Sequence, residues 1–132
     1  MKYKFFHILI LLFLSTYLVS CSYPSLHSPE DINSNVTISE NSRLIEIMPN
    51  NLTNRTTGFL FYPGGLVDSH VYDEILSNFA AESSILTIVA KMPANLAVFD
   101  IGAWETIIPE YPDIDTWIIG GHSLGGSMAA SV

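Results

Sequence analysis

Short apolar runs alternate with amphipathic segments through residues 43–132 of the chain. The runs are rich in β-branched and aromatic residues, which favours strands, and the intervening segments carry apolar residues at helical spacing. Strands are predicted at 43–48, 58–62, 84–90 and 116–119, and helices at 69–81, 96–108 and 124–132. Ser69 is the predicted cap of the first helix, and Pro109 and Pro112 end the second. This alternation predicts an α/β fold, a parallel sheet with helices on both faces.

The first 20 residues have the pattern of an export signal. Lys2 and Lys4 precede an apolar run, 8–19, that is short for a membrane span. The run ends at Leu18-Val19-Ser20-Cys21, which resembles the lipobox of bacterial lipoproteins, where cleavage precedes a lipid-modified cysteine. We therefore expect an exported protein that a lipid on Cys21 anchors to a bacterial membrane. A secreted protein with an ordinary signal and a protein with a retained N-terminal anchor helix are the alternatives.

The composition separates a tether from a folded, acidic domain. Cys21 is the only cysteine, so no intrachain disulfide can form. Residues 21–42 are rich in Ser, Asn and Pro and predict a flexible tether, with the folded domain at 43–132. The net charge is −8, and cleavage before Cys21 would leave 3 basic and 13 acidic residues, a charge of −10. Such acidity argues against nucleic-acid binding and against electrostatic attachment to anionic lipid.

Residues 120–126, GGHSLGG, contain the pattern G-x-S-x-G and are the strongest indication of chemistry. The pattern is typical of a serine on a sharp strand-to-helix turn, where small residues two places away on either side avoid a clash. A predicted buried strand precedes it, and a predicted helix of small residues follows it. Ser123 is therefore the predicted nucleophile, which needs a general base within hydrogen-bonding distance.

An acyl-transfer nucleophile also needs donors aimed at the negative oxygen of its intermediate. The backbone N–H of Leu124, at the start of the following helix, is one predicted donor. The second is predicted in the loop after the strand at 58–62, where Gly65 and Leu66 follow a proline and a glycine. A plain turn is the alternative for these glycines.

The histidines and acids supply no clear base or metal ligand set. His7 lies in the predicted signal and His27 in the tether. His122 is adjacent to Ser123 and is expected to point away from it, in a structural role. His70 could border the site, although an exposed position near a helix start is the more ordinary expectation. No cluster has metal-ligand spacing, and the glycines match neither a P-loop nor a dinucleotide fingerprint, so no metal or cofactor is expected.

Three segments together resemble the α/β-hydrolase superfamily: 61–68 (FYPGGLVD), 91–98 (KMPANLAV) and 117–130 (WIIGGHSLGGSMAA). Within it the chain looks most like the bacterial α/β-hydrolase fold-5 domain, which is related to dienelactone-hydrolase-like enzymes, over about residues 43–132. The resemblance implies that Ser123 is the nucleophile and that Leu124 and the Gly64-Gly65-Leu66 loop form an oxyanion hole. Family members take their acid and histidine from strands after the turn, so we expect a domain truncated after the serine turn.

The leading prediction is a serine hydrolase that, at full length, acts on an ester or similar acyl bond of a small molecule. A catalytically inactive lipoprotein remnant is one alternative. A cell-surface binding or interaction module that keeps the fold without catalysis is another. A histidine and an acid following in the same reading frame would separate these possibilities. The sequence selects neither a substrate nor an oligomeric state.

Overall fold

The computed structural model describes residues 32–53 and 56–132, which build one five-stranded sheet with helices packed on it. The strands are β1 (Val36–Glu40), β2 (Leu44–Pro49), β3 (Thr57–Tyr62), β4 (Leu86–Ala90) and β5 (Thr116–Gly121). The α-helices are α1 (Asp73–Ser83), α2 (Ala103–Ile107) and α3 (Leu124–Ala129). Short 3-10 turns lie at Ser69–Tyr72, Pro93–Asn95, Ala97–Phe99 and Ile108–Glu110.

The strand order is β1-β2-β4-β3-β5, and the sheet is mixed. β3 lies between β4 and β5 and is parallel to both, whereas β2 is antiparallel to both β1 and β4. The short link between β1 and β2 is a hairpin, which forces antiparallel pairing. In this link the side-chain oxygen of Asn41 accepts the N–H of Arg43 at 2.8 Å and of Leu44 at 3.1 Å. The α/β fold is thus confirmed, with an antiparallel end that the sequence did not predict.

The sheet begins before the predicted start of the domain. β1 lies inside 21–42, where the sequence predicted a tether, and its Val36 and Ile38 pack against the core. Ahead of it, the N–H of Asn33 donates to Ser77 Oγ at 3.2 Å, which joins this segment to α1. The apolar alternation covers only 5 residues in polar surroundings, so composition there indicated a tether.

Residues 1–31 and 54–55 lie outside the described part of the chain. The predicted signal peptide at 1–20, the lipid-bearing Cys21 and the first part of the predicted tether therefore have no structural description. Within 32–53 and 56–132, no helix is long and apolar enough to cross a membrane.

Buried side chains fill both faces of the sheet. On one face, Leu60 and Ile88 pack with Ala103 and Ile107 of α2. On the other, a second cluster packs against α1; its buried members are Ile45, Ile47, Tyr72, Leu76, Ala80 and Val89. β4 is buried at every position, as expected for a strand covered on both faces. Helices on both faces are therefore confirmed.

The first helical segment begins differently from the prediction. Asp68, not Ser69, is its cap, because Asp68 Oδ1 accepts the N–H of His70 at 2.9 Å. Ser69 is buried within the 3-10 turn that precedes α1. α1 ends at Ser83 and is capped by Ser84, whose φ of 55° is in the left-handed region. An aspartate side chain can close such a turn as well as a serine, so spacing alone did not distinguish the two.

The helix predicted at 96–108 is broken. A 3-10 turn, Ala97–Phe99, is followed by Asp100 with φ −151° and ψ 58°, and α2 then covers only Ala103–Ile107. The Tyr62 hydroxyl stabilises the break, because it donates to the carbonyl of Ile101 at 3.0 Å and accepts the N–H of Trp104 at 3.1 Å. A side chain at the end of β3 thus replaces two partners that a continuous helix would have supplied.

Candidate active site

Ser123 lies on the turn between β5 and α3, at the edge where the parallel strands end. Its backbone has φ 50° and ψ −120°, a region that residues with a Cβ rarely adopt. The N–H of Ser127 donates to the Ser123 carbonyl at 3.0 Å, and the N–H of Gly126 donates to the His122 carbonyl at 3.3 Å. Ser123 itself is exposed. The predicted strand–turn–helix around Ser123 is therefore present.

Gly121 and Gly125 allow this turn to pack against the rest of the sheet. A Cβ on Gly121 would lie 2.8 Å from the carbonyl carbon of Gly125, closer than real Cβ contacts. A Cβ on Gly125 would overlap the carbonyl oxygens of Tyr62 and Pro63. Each of the obstructing atoms is backbone, so a neighbouring side chain cannot move to make room. The prediction that small residues on either side of the serine permit the turn is confirmed.

The loop after β3 lies directly against the serine turn. The N–H of His122 donates to the carbonyl of Tyr62, the last residue of β3, at 3.1 Å. A Cβ on Gly65 would lie 3.0 Å from Leu124 Cδ2, so the loop backbone contacts the Leu124 side chain. Two of the predicted oxyanion residues, Gly65 and Leu124, are thus neighbours beside Ser123.

The third predicted oxyanion residue, Leu66, has its N–H occupied. It adopts φ 59°, and its N–H donates to the carbonyl of Asn95 at 2.7 Å. The N–H of Gly64 is also occupied, donating to the Tyr72 hydroxyl at 2.9 Å. Within the described residues, the N–H of Gly65 has no acceptor, and that of Leu124 is the first of α3, which a helix leaves without an internal partner. The geometry therefore favours Gly65 over Leu66 as the loop donor.

His122 contacts Tyr72. Its Nδ1 lies 3.0 Å from the Tyr72 hydroxyl, and the two ring centroids are 6.0 Å apart. This contact agrees with the structural role that the sequence suggested for His122. His7 and His27 lie outside the described residues.

His70 is engaged by carboxylates on both sides of its ring. Nδ1 lies 2.8 Å from Asp73 Oδ2, and Nε2 lies 3.1 Å from Glu40 Oε2. Burial disfavours the charged ring, but the hydrogen bond and charge of Asp73, followed by the charges of Glu40 and Asp68, outweigh it and raise the pKa of His70. With both nitrogens occupied, His70 is not placed to act as a base for Ser123.

Asp113 and Asp115 do not complete the site. Asp113 and Asp115 precede β5 and therefore lie at the opposite end of the strand from Ser123. Among residues 32–53 and 56–132, no group of three or more His, Cys, Asp or Glu side chains could hold a metal ion.

Tyr72 is the residue at this site that the sequence did not indicate. It closes the Ser69–Tyr72 turn, is 9% exposed, and its hydroxyl reaches both the loop and the serine turn. The sequence did show a tyrosine among apolar positions at helical spacing, which indicates a buried side chain. A buried tyrosine hydroxyl needs a hydrogen-bond partner. That signal does not say which partner it finds.

A family model described as "Alpha/beta hydrolase family" matches residues 58–132. No curated protein sequence matches the chain. The fold of this chain resembles that of an esterase from Pseudomonas putida, with a TM-score of 0.56 and 18% identity. The match covers 74% of this chain and 37% of the esterase. It also resembles a fungal esterase from Rhizomucor miehei, with a TM-score of 0.58 and 15% identity. That match covers 80% of this chain and 41% of the fungal protein.

An esterase/lipase from an uncultured bacterium is a third similar structure, with a TM-score of 0.54 and 13% identity. The match covers 89% of this chain and 49% of that protein. The chain therefore spans less than half the length of each of these structures. At such low identity, the likeness concerns the fold.

Proposed function

This chain belongs to the α/β-hydrolase family, and from that premise we propose that it is the N-terminal part of a serine hydrolase with Ser123 as nucleophile. The substrate would be a small molecule with an ester or similar acyl bond. The observation that carries the proposal is the strained backbone of Ser123 at the end of β5, with Leu124 and Gly65 beside it. The esterases of similar fold support the ester bond as the target.

In the proposed reaction, Ser123 Oγ attacks the substrate carbonyl carbon while a base takes the hydroxyl proton. The carbonyl oxygen becomes negative and accepts hydrogen bonds from the N–H groups of Leu124 and Gly65. Collapse of this intermediate expels the alcohol, which takes the proton from the base, and leaves the acyl group on Ser123. Water then attacks the acyl-enzyme with the same base, releasing the acid and restoring the serine.

We place the base and its partner acid in the same polypeptide beyond Val132. His70 and His122 are committed to other groups, and the resemblance implies an acid and a histidine after the turn. β5 is an edge strand in the described part of the chain, and its Ile118 is 49% exposed, which is consistent with further strands packing there. The structures of similar fold are more than twice as long as their matched parts.

The test is labelling of the natively expressed protein with a fluorophosphonate probe, combined with its intact mass and peptide mapping beyond Val132. We expect label on Ser123 and a downstream acid and histidine. Ser123→Ala should abolish the label, whereas Ser131→Ala, an exposed serine whose Oγ donates to the Met128 carbonyl, should keep it. A folded protein that takes no label would instead indicate the inactive remnant or the binding module.

The finer relation to dienelactone-hydrolase-like enzymes is also a proposal, supported by the FYPGGLVD and KMPANLAV segments. Its test compares turnover of p-nitrophenyl esters with turnover of small lactones by the same preparation. Faster lactone hydrolysis would support the relation, and turnover of acyclic esters alone would contradict it.

We also propose that the protein is exported and anchored to a bacterial membrane by a lipid on Cys21. The support is the early lysines, the apolar run and the lipobox-like Leu18-Val19-Ser20-Cys21. Growth with an alkyne-labelled palmitate should label the wild type in the membrane fraction, and Cys21→Ser should remove the label. Unlabelled protein in the medium would indicate secretion, and unlabelled protein in the membrane would indicate a retained helix.

A further inference from the structure

The Tyr72 hydroxyl bridges the two backbone segments that form the proposed oxyanion site. It accepts the N–H of Gly64 at 2.9 Å and lies 3.0 Å from His122 Nδ1. Gly64 precedes Gly65 in the loop after β3, and His122 precedes Ser123 in the serine turn. The Tyr72 side chain therefore connects two segments. One is the loop that carries the proposed donor Gly65, and the other is the serine turn that carries Ser123 and the proposed donor Leu124.

The direction of these bonds follows from the atoms involved. The Gly64 amide can only donate, so the Tyr72 oxygen accepts from it. Within the described residues, the Tyr72 hydroxyl has no acceptor other than His122, so its proton is directed at Nδ1. Nδ1 then serves as the acceptor, so the Gly64 N–H, the Tyr72 hydroxyl and His122 Nδ1 form a continuous chain of hydrogen bonds.

The tyrosine of the bridge is packed among its neighbours. The Tyr72 ring is 9% exposed and lies 4.8 Å from the Phe61 ring, centroid to centroid. A Cβ on Gly64 would lie 2.8 Å from His122 Nδ1 and 3.0 Å from the Tyr72 oxygen. Glycine at 64 thus lets loop, tyrosine and histidine meet without intervening atoms.

Taking the proposed function as given, we infer that Tyr72 is a positioning residue for the oxyanion hole. Two N–H donors stabilise an oxyanion only if their separation suits a single oxygen atom. The bridge holds Gly64, and with it the N–H of the next residue, Gly65, in position relative to Ser123 and Leu124. Because the negative oxygen exists only in the transition state and intermediate, a loosened bridge lowers kcat with little effect on KM.

Tyr72→Phe in the natively expressed, full-length protein tests this inference, with p-nitrophenyl butyrate as substrate and active sites counted by fluorophosphonate labelling. We expect kcat per active site to fall about 10-fold to 100-fold, as for a misplaced donor, with KM nearly unchanged. Tyr111→Phe is the matched control, since it also removes a tyrosine hydroxyl that donates to a side chain, Glu46 at 2.8 Å, but at the other end of the sheet. It should keep the wild-type kcat.

The histidine side of the bridge supplies a second, independent readout. His122→Asn keeps an acceptor oxygen near the position of Nδ1 and should retain most of kcat, whereas His122→Ala should lose as much as Tyr72→Phe. Combining His122→Ala with Tyr72→Phe should cause no further loss than Tyr72→Phe alone, because Tyr72→Phe already removes the bond to His122 together with the bond to Gly64. Additive losses would overturn the inference.

Failure of the catalytic role of Ser123 and failure of the positioning role of Tyr72 give different results. If Ser123→Ala keeps wild-type turnover, the proposed function is wrong and the positioning role with it. If Ser123 is required but Tyr72→Phe matches Tyr111→Phe in kcat per active site, the positioning role alone is wrong. Loss of folded protein without loss of kcat per active site would make Tyr72 a merely structural residue, which also overturns the inference.

Discussion

Gly125 lies against the carbonyl oxygen of Tyr62, so closely that a Cβ at position 125 would overlap that atom. Gly125 follows Ser123 by two residues, and Tyr62 ends β3 just before the loop that carries Gly65. This backbone-to-backbone contact packs α3 against the end of β3. The serine turn and the loop are therefore adjacent because of glycine packing as well as hydrogen bonding.

Gly125→Ala should destabilise the protein. The added methyl group meets backbone atoms of Tyr62 and Pro63, so the turn must move as a unit. We expect the free energy of unfolding to fall by about 1–3 kcal/mol, the usual cost of overpacking, as measured by urea denaturation. Gly102→Ala is the control, because its Cβ would meet only the Glu105 side chain at an ordinary 3.6 Å. Equal stability of the two variants would contradict this prediction.

Ser123→Gly should stabilise the fold while removing the proposed nucleophile. The φ of 50° and ψ of −120° at Ser123 are costly for a residue with a Cβ and accessible to glycine. We expect the free energy of unfolding to rise by about 1 kcal/mol relative to Ser123→Ala, which keeps the Cβ and the strain. Thermal unfolding of the pair measures this difference directly. If Ser123→Gly is no more stable than Ser123→Ala, the turn stores no strain.

His70 should make stability depend on pH near neutrality. Its pKa is raised in the folded state, so folding favours the protonated ring. The contribution of His70 is fully present below its ordinary pKa of 6.5 and is lost as pH rises through the raised value. The difference in Tm between wild type and His70→Gln should therefore shrink from about pH 6 to about pH 9.

Glu40, whose carboxylate contacts the His70 ring, offers a control for the same measurement. Glu40 accepts the Lys91 hydrogen bond at 2.9 Å, and that bond and the Lys91 charge, against a smaller effect of burial, lower the pKa of Glu40. Glu40 therefore stays charged across the window in which His70 titrates. Introducing Glu40→Gln should reduce the pH-dependent part of the His70 effect. A Tm difference that does not change with pH would show that the carboxylates do not stabilise charged His70.

Tyr111→Phe should cost about 1 kcal/mol of unfolding free energy, the scale of a partly exposed hydrogen bond to a charged group. The hydroxyl donates to Glu46 Oε2 at 2.8 Å, and burial together with the Glu46 hydrogen bond and charge raises the pKa of Tyr111. The hydroxyl thus stays protonated across the neutral range. Phenylalanine keeps the edge contact with the Trp117 ring, 5.8 Å away, so packing is preserved. Urea unfolding of Tyr111→Phe should be compared with that of Glu46→Gln. Because glutamine keeps an acceptor oxygen but carries no charge, the comparison separates the contribution of the hydrogen bond from that of the charge.

The sequence indicated those features whose causes are local. A run of consecutive apolar residues predicted the fully buried β4, and alternating elements predicted an α/β fold. The G-x-S-x-G pattern predicted the turn around Ser123, because its strain and its need for glycines arise within a few residues. These features depend on spacing along the chain, so no knowledge of distant partners was needed.

Other features required partners far away in the chain. The helix predicted at 96–108 breaks where the Tyr62 hydroxyl, 39 residues from Ile101, takes over the backbone bonds. The N–H of Leu66 is used by the carbonyl of Asn95, and Tyr72 meets His122 across 50 residues. β1 was assigned to the tether because its stabilising neighbours are β2 and α1 rather than its own composition.

The sequence by itself thus determined strands β2 to β5, the serine turn and the glycines that the turn requires, since short-range sterics and hydrophobic periodicity act between near neighbours. Only the tertiary structure decided which N–H groups beside Ser123 keep no partner, and that Tyr72 joins the loop to the turn. Hydrogen bonds are short and directional, so their pairing follows from where packing brings each donor and acceptor in space.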